Sequence, residues 1–186
     1  MKMCEQMVGL SVYEHGISVR NYMFDILNHL RYDTPLKYNW KLPNWIHDHK
    51  EYILSNILSD EVIELYTIFH DCGKPYCLEV DENGRKHFPN HAEVSYKISK
   101  NIFNNDDSSE LIKRDMDFHL LKAVDLKDFS QSKYAVTLMI SALSEIHSNS
   151  TMFGGMESTS FKIKWKHTDK KGRQVLDLLS KNINKK

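Results

Sequence analysis

An all-α helical bundle carrying one small β-hairpin is the fold class this sequence predicts, and three features carry that expectation. Apolar residues recur close to the helical period, as in residues 11–31 with Val12, Ile17, Val19, Met23, Ile26, Leu27 and Leu30. The segment EVIELYTIFHD is apolar nearly all round, which suits a helix buried in the middle of a bundle. Only CLEVDENGRKHF gives a clear strand-turn-strand signal, with Asn83-Gly84 as its turn. The 186 residues fit one domain, since domains commonly span about 100–200.

The elements follow in chain order. A first helix over 11–31 ends before TPLKYNWKLPNW, where Pro35 and Pro43 impose a loop or extended connection. Asp48 is the expected N-cap of KEYILSNIL, which leaves His47 and His49 at an exposed helix start. Asp60 is the expected cap of EVIELYTIFHD, which Gly73 and Pro75 stop. Beyond the hairpin, Asn90 with Glu93 three places on has capping-box spacing for HAEVSYKISKNIF. Ser108 or Ser109 would start a further helix through His119, and Ser130 or Ser132 a long one through Glu145 and His147. SFKIKWKH alternates apolar and lysine residues, as an edge strand or amphipathic extension would. Gly172 argues that a last helix begins only after it.

Composition narrows the function classes. Three cysteines, Cys4, Cys72 and Cys77, fit a reducing compartment and neither a disulfide framework nor a zinc knuckle. MKMCEQMVGLSVYEHG shows no signal-peptide pattern and no run approaches eighteen apolar residues, so a soluble cytoplasmic protein with no membrane partner is expected. Net charge is zero but uneven. Residues 161–186 hold nine lysines and arginines against two aspartates, net +7, and the remainder carries −7. Such a basic extension favours a phosphate-rich partner, or else forms a solvated lysine face.

Two His-Asp pairs compete for attention. His47-Asp48 is explained by capping, whereas His70-Asp71 ends the most apolar helix. Polar side chains delivered from a buried helix must be hydrogen-bonded or coordinated. His15, His70 with Asp71, His91 and His119 fall near helices, and imidazole with carboxylate suits manganese, iron, nickel, cobalt or zinc. Their separation is too long for a zinc finger, so metal binding would need a bundle to gather them.

SVYEHGISV around His15 followed by FHDCGKP at His70-Asp71 resembles the HD-domain phosphohydrolase superfamily. The longer run FHDCGKPYCLEVDENGRKHFPNHAEVS is similar to the HD domain that accompanies tRNA nucleotidyltransferases. The resemblance covers about residues 11–147 and leaves 161–186 as a basic extension. It implies that His15, His70 and Asp71 are metal ligands, that His91 and His119 complete a second metal position, and that Asp71 bridges the two. The family's last ligand is an aspartate on a late helix, matched here by Glu145 in Leu143-Ser144-Glu145, one methylene longer; Asp125 and Asp128 are substitutes for it. One or two divalent ions are therefore implied, drawn from manganese, iron, nickel, cobalt, zinc or magnesium. Asp71 and Lys74 would carry catalysis, Lys74 by holding a phosphoryl oxygen, unless it is an ordinary exposed lysine in a turn. Arg20, Arg85 and Lys86 are weaker phosphate-binding candidates. The implied activity is hydrolysis of phosphodiesters or phosphomonoesters in nucleotides or RNA ends, such as 2′,3′-cyclic phosphates or 2′-phosphates. Two alternatives share the fold: a di-iron centre that activates oxygen, and a degraded site, marked by Glu145, that binds a nucleotide without turnover.

Overall fold

The computed structural model describes residues 1–7 and 9–183. Of the basic extension, Lys185, Lys186 and the side chain of Lys181 lie outside the described residues. In chain order the elements are β1 (Glu5–Met7), β2 (Leu10–Ser11), α1 (Val12–Tyr32), α2 (Trp45–Asp48), α3 (Lys50–Asn56) and α4 (Asp60–Phe69). They continue with β3 (Glu79–Val80), β4 (Lys86–His87), α5 (His91–Ile102), α6 (Asp106–Lys113), α7 (Asp117–Leu120) and α8 (Leu126–Gln131). The last helices are α9 (Ala135–Ser148) and α10 (Thr159–Ile183). Among the described residues helices dominate, as the fold class requires, and the strands form two antiparallel pairs, one more than the single expected hairpin.

The chain divides into two compact units, residues 1–20 with 59–116, and residues 21–58 with 117–186. In the first, α1 starts at a capping box. The Ser11 hydroxyl accepts from the Glu14 amide at 3.2 Å, and Glu14 Oε2 accepts from the Ser11 amide at 2.9 Å. One turn later Gly16 lies against α4, where an added Cβ would stand 2.2 Å from the Ile68 carbonyl oxygen. Only a residue without a Cβ permits that approach, which brings the His15 turn onto the end of α4. Val62, Ile63, Tyr66 and Thr67 are the buried positions of α4. Tyr66 donates its hydroxyl to Asp115 at 2.6 Å.

In the second unit α9 is apolar on almost every face, with Ile140, Leu143 and Met139 fully buried. Phe161, Thr168, Gly172, Val175 and Leu176 form the buried stripe of α10. Their spacing of three, four and seven is the helical period.

Several local expectations are corrected. SFKIKWKH is helical, because that long stripe outweighs its local alternation. Gly172 lies inside α10 and not before it, and the Trp45 indole fills the place of its missing side chain. Asp48 ends α2 and does not cap α3, whose N-cap position is His49. Ser59, not Asp60, precedes α4, with no side-chain cap. Asn90 takes left-handed backbone angles (φ 56°) and makes no capping bond. The hairpin is wider than a two-residue Asn-Gly turn: Val80 pairs with Lys86, and Asp81 Oδ1 accepts from the amides of Asn83 and Arg85 at 2.9 Å each. The helix expected from Ser108 to His119 is two helices, broken around the buried Asp115. Asn105 caps the first of them by accepting from the Ser108 amide. The long helix starts at Ala135 and not at Ser130 or Ser132. The N-terminal pair β1–β2 had no signal in the sequence strong enough to predict it.

Candidate metal centre

Asp71 is the middle of the first unit's polar cluster. It is 2 % exposed, one residue past the His70 that closes α4. Around its carboxylate stand His15 Nε2 at 3.6 Å and His70 Nε2 at 3.3 Å from Oδ2, with His91 Nε2 at 3.5 Å from Oδ1. The three imidazoles come from the start of α1, the end of α4 and the first residue of α5. His15 and His70 are buried, and their rings meet edge to face at 5.2 Å.

The second nitrogen of two of these rings is fixed by backbone. His70 Nδ1 lies 2.9 Å from the Thr67 carbonyl oxygen, and His91 Nδ1 lies 2.8 Å from that of Phe88. A carbonyl oxygen only accepts, so Nδ1 carries the hydrogen in both rings. In the neutral ring Nε2 then presents a lone pair toward Asp71. Two such lone pairs beside a carboxylate favour a shared positive charge, either a proton on an imidazole or a bound cation. Burial pushes the Asp71 carboxyl upward, but His70, Lys74 and His15 outweigh it and hold it well below the usual carboxylate range. The neighbouring Cys72 behaves in the opposite way: burial raises its thiol to about 11, so it stays protonated.

A model of the HD domain family matches residues 12–150. This chain belongs to the HD-domain family. HD domains bind divalent metals and form a superfamily of metal-dependent phosphohydrolases, so the expected superfamily stands. No curated protein and no solved structure matches the chain. The matched span takes in segments of both units. The donor set of the first unit fits the group an HD domain implies: three imidazoles, two of them oriented by backbone carbonyls, around one buried carboxylate are donors that suit a borderline metal.

The remaining residues singled out in the sequence fall in several settings. In the second unit His119 Nε2 meets Glu145 Oε2 at 3.0 Å, and both side chains are partly exposed. Asp125 and Asp128, the substitutes for Glu145, are exposed at and near the start of α8. His47 and Asp48 are exposed as well, in contrast to the buried His70 and Asp71. Lys74 is not an exposed turn lysine. It is 8 % exposed in a single turn of 3-10 helix, with Nζ 2.6 Å from Asp71 Oδ2 and 2.8 Å from Gln6 Oε1. Arg20 binds Glu64 through Nε at 3.1 Å and Nη2 at 2.8 Å. Arg85 is exposed on the hairpin loop, and Lys86 reaches Glu5 at 2.9 Å.

Gly73 has an ordinary φ of −78°, so no left-handed backbone calls for a glycine there. Its role is proximity: a Cβ there would lie 2.5 Å from the Ser95 amide nitrogen and 2.6 Å from the His91 carbonyl oxygen. The Ser95 hydroxyl accepts from the Gly73 amide at 2.8 Å. Gly73 thus lets the His70-Asp71 turn sit against the helix start that delivers His91. Sequence reasoning missed Gln6, Thr67 and Phe88. Two of these act through backbone carbonyls, which no residue pattern advertises.

Proposed function

We propose that this HD domain is a hydrolase of phosphoesters in nucleotides or RNA ends, 2′,3′-cyclic phosphates among them. The observation that carries the reading is the orientation of the His70 and His91 rings, whose Nδ1–H groups are held by Thr67 and Phe88 while Nε2 faces Asp71. The substrate class rests on the likeness of FHDCGKPYCLEVDENGRKHFPNHAEVS to the HD domain of tRNA nucleotidyltransferases.

His15, His70, Asp71 and His91 would hold the divalent metal. When bound, divalent ions supply an acidified water and neutralise charge developing on phosphoryl oxygens. The protein's own part is to keep the donors ready. Asp71 stays ionised because His70, Lys74 and His15 favour its charged form. Lys74 holds Oδ2 and, through Gln6, is itself held, leaving Oδ1 on the side of His91. The backbone carbonyls keep the two rings from rotating.

The test is elemental analysis of the purified protein followed by a panel of nucleoside 2′,3′-cyclic phosphates, 2′-phosphates and other phosphoesters with manganese, nickel, cobalt or magnesium. Metal-dependent release of phosphate or ring opening, absent in Asp71→Ala, supports the reading. An iron-loaded protein that consumes oxygen and leaves the panel untouched would replace it with the di-iron oxygenase.

A further inference from the structure

The basic extension does not present its lysines evenly. Lys162 pairs with Glu157 at 2.8 Å, Lys164 lies over the Phe153 ring, and the Trp165 indole donates to the Lys41 carbonyl at 2.6 Å. Phe161 is fully buried. The part of the segment that looked most suited to a nucleic-acid backbone is therefore engaged within the chain.

A different group of basic side chains has no acidic partner among the described residues. In the second unit a cleft of about 240 Å³ is lined by Lys122 from the connection between α7 and α8 and by His167, Lys170 and Lys171 from α10, over an apolar floor that includes Leu121 and Leu126. No carboxylate lines it. Lys122, His167 and Lys170 have no carboxylate partner among the described residues. Lys171 is satisfied by backbone and not by an acid: its Nζ donates to the carbonyl oxygens of His119 at 2.6 Å and Phe118 at 3.2 Å. Its position costs hydration, and burial lowers the ammonium's pKa. The cleft continues into a second of about 370 Å³ that shares Ala123, Leu126 and Gln174 and adds Lys127, Leu178 and Asp177. By contrast, a cleft of about 500 Å³ in the same unit carries three carboxylates, Asp48, Asp169 and Asp177.

Like charges gathered without counter-charges repel, and an anion relieves them. We propose that this groove binds the phosphate groups of a nucleotide, either free or within an oligonucleotide. The ammonium groups of Lys122 and Lys170 are the phosphate contacts. The leucine floor and the Gln174 amide suit the sugar and base, an apolar body with polar edges. The inference stands on the second unit's own residues and does not depend on hydrolysis by the metal centre.

Calorimetric titration of the full chain with pyrophosphate, AMP and a short single-stranded RNA tests it. The comparison uses Lys122→Gln/Lys170→Gln, Asp71→Ala, and a control pair on the exposed side of α10, Lys162→Gln/Lys166→Gln. The groove variant should lose about tenfold or more in affinity, as expected for two charge-assisted contacts, while Asp71→Ala and the control pair keep theirs. Equal affinity for AMP and RNA would identify the free nucleotide as the source of the phosphate. Binding of RNA alone, with a salt dependence that flattens in the groove variant, would identify the backbone. Failure of all three probes to bind overturns the proposal. So does binding lost in Asp71→Ala and kept in the groove variant, or an equal loss in the control pair.

Discussion

Two dipeptides of identical composition, His47-Asp48 and His70-Asp71, behave differently because of where the chain carries them. The first lies exposed around the end of a four-residue helix, and Asp48 caps nothing. Asp48→Ala should therefore shift unfolding free energy by no more than about 0.5 kcal/mol, the usual range for surface substitutions. Asp71→Ala should strip bound metal and activity together. Comparable metal loss in both variants, measured by elemental analysis, would contradict the assignment. Lys74 makes a sharper case. Its ammonium and the Asp71 carboxylate are both buried, so Lys74→Met leaves a carboxylate with a partner removed, a change that costs about 3–5 kcal/mol in buried pairs. Denaturant unfolding of the metal-free protein should show that loss, and saturating metal should shrink it by supplying the missing positive charge. A Lys74→Met protein as stable as wild type without metal would mean that the pair contributes nothing to the fold.

At the scale of elements, the turn after α4 is a packing device. Gly73→Ala would drive a Cβ into the backbone of α5 at Ser95 and His91, and backbone cannot step aside as a side-chain tip can. The expected outcome is a loss of about 3 kcal/mol or more in denaturant unfolding, with reduced metal content because His91 moves. Gly84→Ala on the hairpin loop meets no atom and carries only the strain of its φ of +75°. It should cost about 1 kcal/mol or less and leave metal content intact. Reversal of that order would refute the packing role. The same turn shows what could be read in advance. HDCGKP marked a buried polar turn, and helix identity followed from period wherever the apolar stripe was long, as in α1, α4 and α9. The errors lie where a distant partner decides. Asp115 breaks a helix to receive Tyr66, the Trp45 indole allows a glycine inside α10, and Asp81 widens a turn by accepting two amides. Caps misread at Asp48, Asp60 and Asn90 show that a capping residue type is a preference and not a geometry. His70 and Asp71 stood out because polar side chains at the end of an apolar helix need partners, whereas His15 and His91 were picked out only by the family resemblance. The carbonyls that orient them were not, since every residue has one.

For the molecule as a whole, the discontinuous order of the units gives metal binding a wide reach. The first unit needs residues 1–20 together with 59–116, so His15 is separated from His70 by the entire segment 21–58 of the second unit. A ligand that binds only the folded arrangement stabilises it by RT ln(1 + [L]/Kd), about 2.7 kcal/mol at a hundredfold excess over Kd. For a chain of this length, each kcal/mol moves the midpoint by about 2–4 °C. Adding the cognate divalent ion to chelator-treated protein should therefore raise Tm by about 5–10 °C. The same addition to Asp71→Ala should leave Tm unchanged, because the carboxylate shared by His15, His70 and His91 is gone. Hydrogen exchange gives the finer reading: amides at the end of α4 and the start of α5, where His70 and His91 are anchored, should gain protection on metal addition. If Tm and exchange stay flat in manganese, iron, nickel, cobalt, zinc and magnesium alike, the histidines around Asp71 are a polar core and not a metal centre.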